Sequence, residues 1–149
     1  MKTEPISLII DDDKINRFIL SKTLDDLGQT HFEAINGLEA INFLKSTDYS
    51  HIIVFLDLNM PVLDGYEFLQ FLDEFAHDFA HKNIKVIVLS SVMYIDFIKK
   101  MPYAKIINYL NKPVDLRHIK LAIQNAREAL KINCYTPSST RALVKVDNV

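Results

Sequence analysis

The stretch Ile52-Ile53-Val54-Phe55-Leu56-Asp57-Leu58-Asn59-Met60-Pro61 runs from apolar residues straight into a carboxylate and then stops at a proline. A continuous apolar run rich in Ile and Val is typical of a strand buried on both faces of a parallel sheet. Asp57 would then lie at the carboxyl end of that strand. Ligands bind at this edge of an open α/β sheet, because the loops leaving the strands form a crevice there. The stretch therefore predicts a buried parallel strand with a functional carboxylate at its end.

Two further apolar runs end in charged side chains. The run that begins at Ile6 ends in Asp11-Asp12-Asp13, and the run that begins at Ile106 ends in Lys112-Pro113. The carboxyl ends of parallel strands meet at one edge of a sheet. If the three strands lie side by side, the carboxylates and the ammonium group converge in one pocket.

Apolar runs and amphipathic segments alternate along the rest of the chain. Strands are predicted over residues 6–11, 31–35, 52–57, 84–89 and 105–110, each followed by a helix. Since parallel strands need crossover connections, this alternation predicts a doubly wound α/β fold with a five-stranded parallel sheet and five flanking helices. The predicted core-facing helix residues are Ile19, Leu20, Thr23, Leu24 and Leu27; Leu38, Ile41 and Leu44; Phe68, Leu69, Leu72, Phe75 and Phe79; Ile95, Ile98 and Met101; and Leu116, Ile119, Ile123, Ala126 and Leu130. Asp13, Asp64 and Asp115 are predicted helix caps, and Gly28 a helix end.

Composition limits the domain count and the class of function. The chain has 149 residues, of which 49% are hydrophobic, which suits one packed domain. A net charge of -2 gives no general attraction to nucleic acid, so no direct nucleic-acid partner is expected. The single cysteine and the absence of a signal-peptide or membrane-span pattern favour a soluble, cytoplasmic protein. We expect one domain over residues 1–131 and a largely flexible tail over residues 132–149.

The predicted pocket has the chemistry of a magnesium-assisted phosphoryl acceptor. Three crowded carboxylates, Asp11, Asp12 and Asp57, cannot all stay ionised without a cation. An all-oxygen donor set favours Mg²⁺, with Mn²⁺ as the second candidate. Asp57 could then attack a phosphoryl group, while Lys112 neutralises its oxygens and the Ser90 hydroxyl donates a hydrogen bond to one of them.

Four pieces of the sequence together resemble the receiver domain of two-component response regulators, as in the chemotaxis-type single-domain receivers. They are Leu8-Ile9-Ile10-Asp11-Asp12-Asp13; Leu56-Asp57-Leu58-Asn59-Met60-Pro61 with Asp64-Gly65; Leu89-Ser90-Ser91; and Tyr109-Leu110-Asn111-Lys112-Pro113. The resemblance covers residues 6–131. It implies a flavodoxin-like sheet with strand order 2-1-3-4-5 and a cis peptide bond between Lys112 and Pro113.

The same resemblance implies how the protein would work. The resemblance implies that Asp57 is the phosphoacceptor and that Asp11 and Asp12 are the acidic metal-binding pair. The backbone carbonyl of Asn59 would be a further metal contact, and Lys112 would be the lysine typical of the family's site. Ser90 and Tyr109 would be the switch pair. A sensor histidine kinase or a histidine phosphotransfer protein would supply the phosphoryl group. A downstream protein would read the face made by the fourth helix, the fifth strand and the fifth helix, and phosphorylation could drive homodimerisation. We expect a stand-alone receiver that catalyses only its own phosphorylation and dephosphorylation.

Several alternatives are weaker on the residues. A pseudo-receiver that binds partners without phosphorylation is disfavoured by the intact acidic pair and Lys112. A haloacid-dehalogenase-like phosphatase would need an aspartate where Asn59 stands. His77 and His81 have the spacing of a two-histidine zinc motif, but no third ligand is apparent and a solvated helix end is favoured. Val92 is apolar where a polar residue could position water, and we expect it to slow loss of the phosphoryl group.

Overall fold

The computed structural model describes residues 2–91 and 105–134, with side chains described as far as residue 131. Five parallel strands form one sheet in the order β2-β1-β3-β4-β5. They are β1 Ile6–Ile10, β2 His31–Ala34, β3 His51–Asp57, β4 Asn83–Ser90 and β5 Ile106–Asn111. The fold class and the strand order predicted from the sequence are confirmed.

Four helices are described: α1 Lys14–Asp26, α2 Gly37–Ser46, α3 Gly65–Glu74 and α4 Leu116–Cys134. The last of these is the helix predicted as the fifth. The predicted fourth helix, with Ile95, Ile98 and Met101, lies outside the described residues, as does Val92. Helix α4 continues to Cys134, past the predicted boundary at residue 131, and residues 135–149 lie outside the description. No helix in the described ranges is long and apolar enough to cross a bilayer.

The side chains of the central strands alternate between two hydrophobic cores. Leu8 and Ile10 of β1 pack into the core that α2 and α3 cover. Ile9 packs into the core that α1 and α4 cover. Both cores are closed to solvent at β3, where Val54 and Phe55 are fully buried. A sheet covered on both faces leaves its carboxyl edge as the open crevice, so the fold itself determines where a site can form.

The predicted helix caps are confirmed. The Asp13 carboxylate accepts a hydrogen bond from the amide of Ile15. Asp64 forms a reciprocal capping box with Glu67, and the carboxylate of Asp115 accepts from the amide of Arg117. The first helix ends before Gly28, whose φ is +68°.

The predicted sets of core-facing helix residues included too many residues, and α3 is shorter than predicted. Five residues expected to face the core are at least a third exposed: Ile19, Leu27, Leu38, Phe75 and Leu116. A helix on a flat sheet buries only a narrow stripe, so apolar residues at the border of the stripe stay in solvent. Phe79 is buried as predicted, but it follows the end of α3 and packs its ring 6.0 Å from that of Phe71.

Candidate functional site

Three strands deliver the charged side chains to one end of the sheet. Asp57 is the last residue of β3, and Asp11 directly follows β1, its neighbour in the sheet. The pairing of Ile10 with Leu56 therefore brings the two aspartates side by side. Lys112 follows β5, which is separated from β3 by β4. A lysine can bridge this gap because its four-carbon side chain is long.

The three predicted acidic ligands form one cluster. Asp11, Asp12 and Asp57 each offer a carboxylate oxygen, and these oxygens lie within 4.8 Å of one another. Asp11 is fully buried and Asp57 is 6% exposed, whereas Asp12 is open to solvent. This set of hard oxygen donors, with one exposed member, fits an ion such as Mg²⁺ that keeps part of its water shell. In the described part of the chain, no other group of three acidic, histidine or cysteine side chains converges in this way, and His77 and His81 are exposed residues in turns after α3.

The ammonium group of Lys112 lies between the two buried aspartates. Its Nζ is 3.0 Å from Oδ1 of Asp57 and 3.4 Å from Oδ2 of Asp11. Burial acts to lower the pKa of Lys112, but its contacts with Asp57 and Asp11 outweigh burial and the net pKa is raised. The lysine therefore carries its charge at neutral pH.

Asp57 has the opposite electrostatic balance. Burial raises the pKa of its carboxyl group, and the neighbouring Asp11 charge adds to this rise, while Lys112 and the amide of Asn59 act against it. The net direction is upward. The Lys112 ammonium group therefore does not fully offset burial and the Asp11 charge, and a further cation would lower the cost of ionising Asp57.

The loop after β3 is held close to Asp57. The amide of Asn59 lies 3.3 Å from Oδ1 of Asp57, so the chain turns back over the carboxylate. The amide of Gly65 donates to the carbonyl of Leu58 at 3.0 Å, which ties the start of α3 to the same loop. The role of the Asn59 carbonyl in metal binding stays a prediction.

The two predicted switch residues lie on neighbouring strands. Ser90 ends β4 and is 2% exposed, and its Oγ finds no hydrogen-bond partner among the described residues. A buried hydroxyl without a partner is costly unless a ligand provides one. Tyr109 on β5 is partly buried and packs against the core under α2 and α3. Their predicted roles in switching stay predictions.

The sequence reasoning missed Arg17. This α1 side chain donates to the backbone carbonyl of Asp11 at 2.9 Å. Its position six residues after Asp11 and one helical turn after Asp13 was the available signal. The predicted cis peptide bond between Lys112 and Pro113 is confirmed.

Several known proteins are similar to this chain in sequence. A family model described as the response regulator receiver domain matches residues 7–124. Sporulation initiation phosphotransferase F of Bacillus subtilis is 29% identical over 120 residues, which covers 78% of this chain and 89% of that protein. Sensor histidine kinase CheAY of Helicobacter pylori is 37% identical over 86 residues, which covers 58% of this chain and only 10% of the kinase.

The fold also matches solved structures. A CheY-like response regulator receiver domain protein from Methanospirillum hungatei superposes with a TM-score of 0.72 at 23% identity, covering 86% of this chain and 98% of that one. This likeness concerns the fold, while the family match extends over most of the sequence and includes the strand-end carboxylates. The chain belongs to the response regulator receiver domain family of two-component signalling systems.

Proposed function

We propose that this protein is a response regulator that accepts a phosphoryl group on Asp57 in the presence of Mg²⁺. The observation that carries the proposal is the position of Asp57, which is buried in a three-carboxylate cluster with the Lys112 ammonium 3.0 Å away. An oxygen of Asp57 forms a bond to phosphorus while the bond between phosphorus and the donor's imidazole nitrogen breaks. The electron pair of the broken bond stays on that nitrogen, and a proton from water completes the neutral imidazole of the donor's histidine.

The side chains of the site would bind the metal ion and neutralise the phosphoryl oxygens. Asp11, Asp12, Asp57 and the Asn59 carbonyl would hold the metal ion, which when bound neutralises charge on the phosphoryl oxygens. Lys112 would neutralise a further oxygen. Ser90 Oγ, which has no hydrogen-bond partner in the described part of the chain, would donate to another.

The names of two relatives support a proposal for the donor class. One is named as a phosphotransferase and another as a sensor histidine kinase. We therefore propose a histidine kinase or a histidine phosphotransfer protein as the donor, in the cytoplasm. Beyond its own phosphorylation and dephosphorylation, no catalysis is proposed. The added charge of about -2 would draw Ser90 inward and change the face that includes Tyr109, β5 and α4. A downstream protein, or a second copy, would bind that face.

A phosphorylation assay with a small donor tests the proposal. Purified protein incubated with acetyl phosphate and Mg²⁺ should gain the mass of one phosphoryl group, and chelation of the metal should prevent this gain. Asp57→Asn should gain none. Asp26→Asn, which removes an exposed carboxylate at the far end of α1, is the matched control and should behave like the wild type.

Two results would contradict the proposal. The Asp57→Asn protein could gain the same mass as the wild type, which would place the acceptor elsewhere. Alternatively, the folded wild type could stay unmodified with both acetyl phosphate and a phosphorylated histidine donor, as expected of a pseudo-receiver.

A further inference from the structure

Arg17 joins the acidic pair to the edge of the sheet. Its Nη1 donates to the backbone carbonyl of Asp11 at 2.9 Å, and its Nε donates to Glu33 on β2 at 3.0 Å. The other oxygen of Glu33 accepts a hydrogen bond from Ser21 Oγ at 2.8 Å. One planar guanidinium group thus contacts the end of β1 and the neighbouring strand at the same time.

Every polar group of Asp11 has a partner. Its amide donates to the carbonyl of Ala34 at 3.1 Å, and its Oδ1 accepts from the amide of Asp13 at 2.9 Å. Its Oδ2 is paired with Lys112. Arg17 supplies the contact to the remaining group, the carbonyl, from which the chain continues directly into Asp12. The hydrogen bond from Arg17 is thus made to the peptide group that joins Asp11 to Asp12.

We propose that Arg17 is a positioning residue, which sets the Mg²⁺ affinity of the site by holding the peptide between Asp11 and Asp12. This inference rests on the proposed function of the acidic cluster. Groups that orient metal ligands typically change metal affinity by about 10-fold to 100-fold when removed. The guanidinium group reaches two acceptors in different directions, which the single ammonium of a lysine cannot do with the same geometry.

Charge and positioning act on metal affinity with opposite signs. Arg17 carries a positive charge close to the acidic cluster, so removing it should, by Coulomb attraction alone, strengthen binding of a divalent cation. Loss of positioning should weaken binding. A variant that lacks the guanidinium group therefore separates the two effects by the sign of the change.

The chain offers a matched control at the opposite end of the sheet. Arg127 on α4 links its helix to the segment before β2, because its Nε donates to Gln29 Oε1 at 3.0 Å and its Nη2 contacts the same oxygen. Arg127→Met and Arg17→Met remove the same charge, and each breaks a side-chain hydrogen-bond link between distant parts of the chain, to one acceptor for Arg127 and to two for Arg17. Only the second variant touches the acidic pair.

The experiment measures the Kd of Mg²⁺ by calorimetry, without a phosphodonor, together with the Tm of the metal-free proteins. Arg17→Met should raise the Kd about tenfold, whereas Arg127→Met should leave it within about twofold of the wild type. Arg17→Lys should recover only part of the loss. Phosphorylation at saturating Mg²⁺ should be largely restored in Arg17→Met.

Specific results would overturn the role of Arg17. If Arg17→Met lowers the Tm as Arg127→Met does but binds Mg²⁺ as tightly as the wild type, the bridge is only structural. Full recovery of affinity by Arg17→Lys would show that the two-acceptor geometry is not needed. A wild type that binds Mg²⁺ but accepts no phosphoryl group would refute the proposed function, while the affinity ratio would still test Arg17.

Discussion

Gly65 provides a test of how closely the loop after β3 must fit around Asp57. It opens α3 and lies directly against the end of β3. A Cβ atom at this position would lie 2.6 Å from the carbonyl oxygen of Asp57 and 2.7 Å from the Cα of Leu58. Both atoms belong to the backbone, so no side-chain rotation can relieve the contact. The variant Gly65→Ala must therefore move either α3 or the backbone at Asp57 and Leu58.

The size of the movement follows from these distances. An ordinary contact begins at 3.4 Å, so the 2.6 Å contact is short by about 0.8 Å. Alanine improves helix propensity by up to about 1 kcal/mol, but overpacking costs about 1–3 kcal/mol. We expect a net loss of about 1 kcal/mol in the free energy of unfolding. A misplacement near 1 Å costs about a hundredfold in rate, so phosphorylation by acetyl phosphate should slow by about 10-fold to 100-fold.

Gly28→Ala is the matched control. Gly28 has a φ of +68° and open space around its Cα, so alanine strains the backbone without a clash. The left-handed conformation should cost about 1 kcal/mol for alanine. Urea unfolding and initial phosphorylation rates would be measured for both variants. Equal rates in Gly65→Ala and Gly28→Ala, at equal loss of stability, would refute the claim that Gly65 controls the position of Asp57.

Four further predictions follow from the structure. Val62→Asn should raise the free energy of unfolding by about 1 kcal/mol in a urea titration. Val62 is exposed and has a φ of +73°, which asparagine tolerates better than a β-branched residue does. An unchanged or lower urea midpoint would argue against backbone strain at Val62. Asp57→Asn should raise the Tm of the metal-free protein at pH 7.5. The raised pKa of Asp57 means that its protonated form stabilises the fold and that this contribution is lost as the pH rises through the pKa of the folded state. Asparagine stays neutral at every pH and avoids this loss. In the wild type the Tm gain from Mg²⁺ should shrink as the pH falls toward that pKa, because the proton competes for the same carboxylate; a pH-independent gain would contradict this. Ser90→Ala should change the free energy of unfolding of the metal-free protein by less than about 0.5 kcal/mol, since the Ser90 Oγ has no partner among the described residues. The same variant should lower the phosphorylated fraction at a fixed donor concentration. A large loss of stability would reveal an unseen partner.

The strands and the charged residues at their ends could be predicted because each depends on a strong local signal in the sequence. The sequence of β3 is an uninterrupted apolar run because both faces of this strand are buried in the sheet. A charged residue that ends such a run must lie at the sheet edge. The convergence of Asp57 with Asp11 also needs β3 and β1 to be neighbours, a strand order that the resemblance to receiver domains implied and that the structure has.

The remaining features depend on contacts that produce no periodic pattern in the sequence. The hydrogen bond from Arg17 to a backbone carbonyl involves no side-chain pattern on the acceptor side. Similarly, the exposure of Ile19 and Leu38 depends on how each helix is rotated against the sheet, which apolar spacing alone does not define. The close approach of Gly65 to Asp57 is visible only once α3 is packed against the loop.

Chemical trapping of the phosphorylated residue tests the central claim most directly. Protein treated with acetyl phosphate and Mg²⁺ would be reduced with borohydride, which converts an aspartyl phosphate into homoserine, and the peptides would be sequenced by mass spectrometry. The proposed function predicts homoserine at position 57 and nowhere else, and none without Mg²⁺. Homoserine at another aspartate, or phosphorylated protein with Asp57 unchanged, would contradict it.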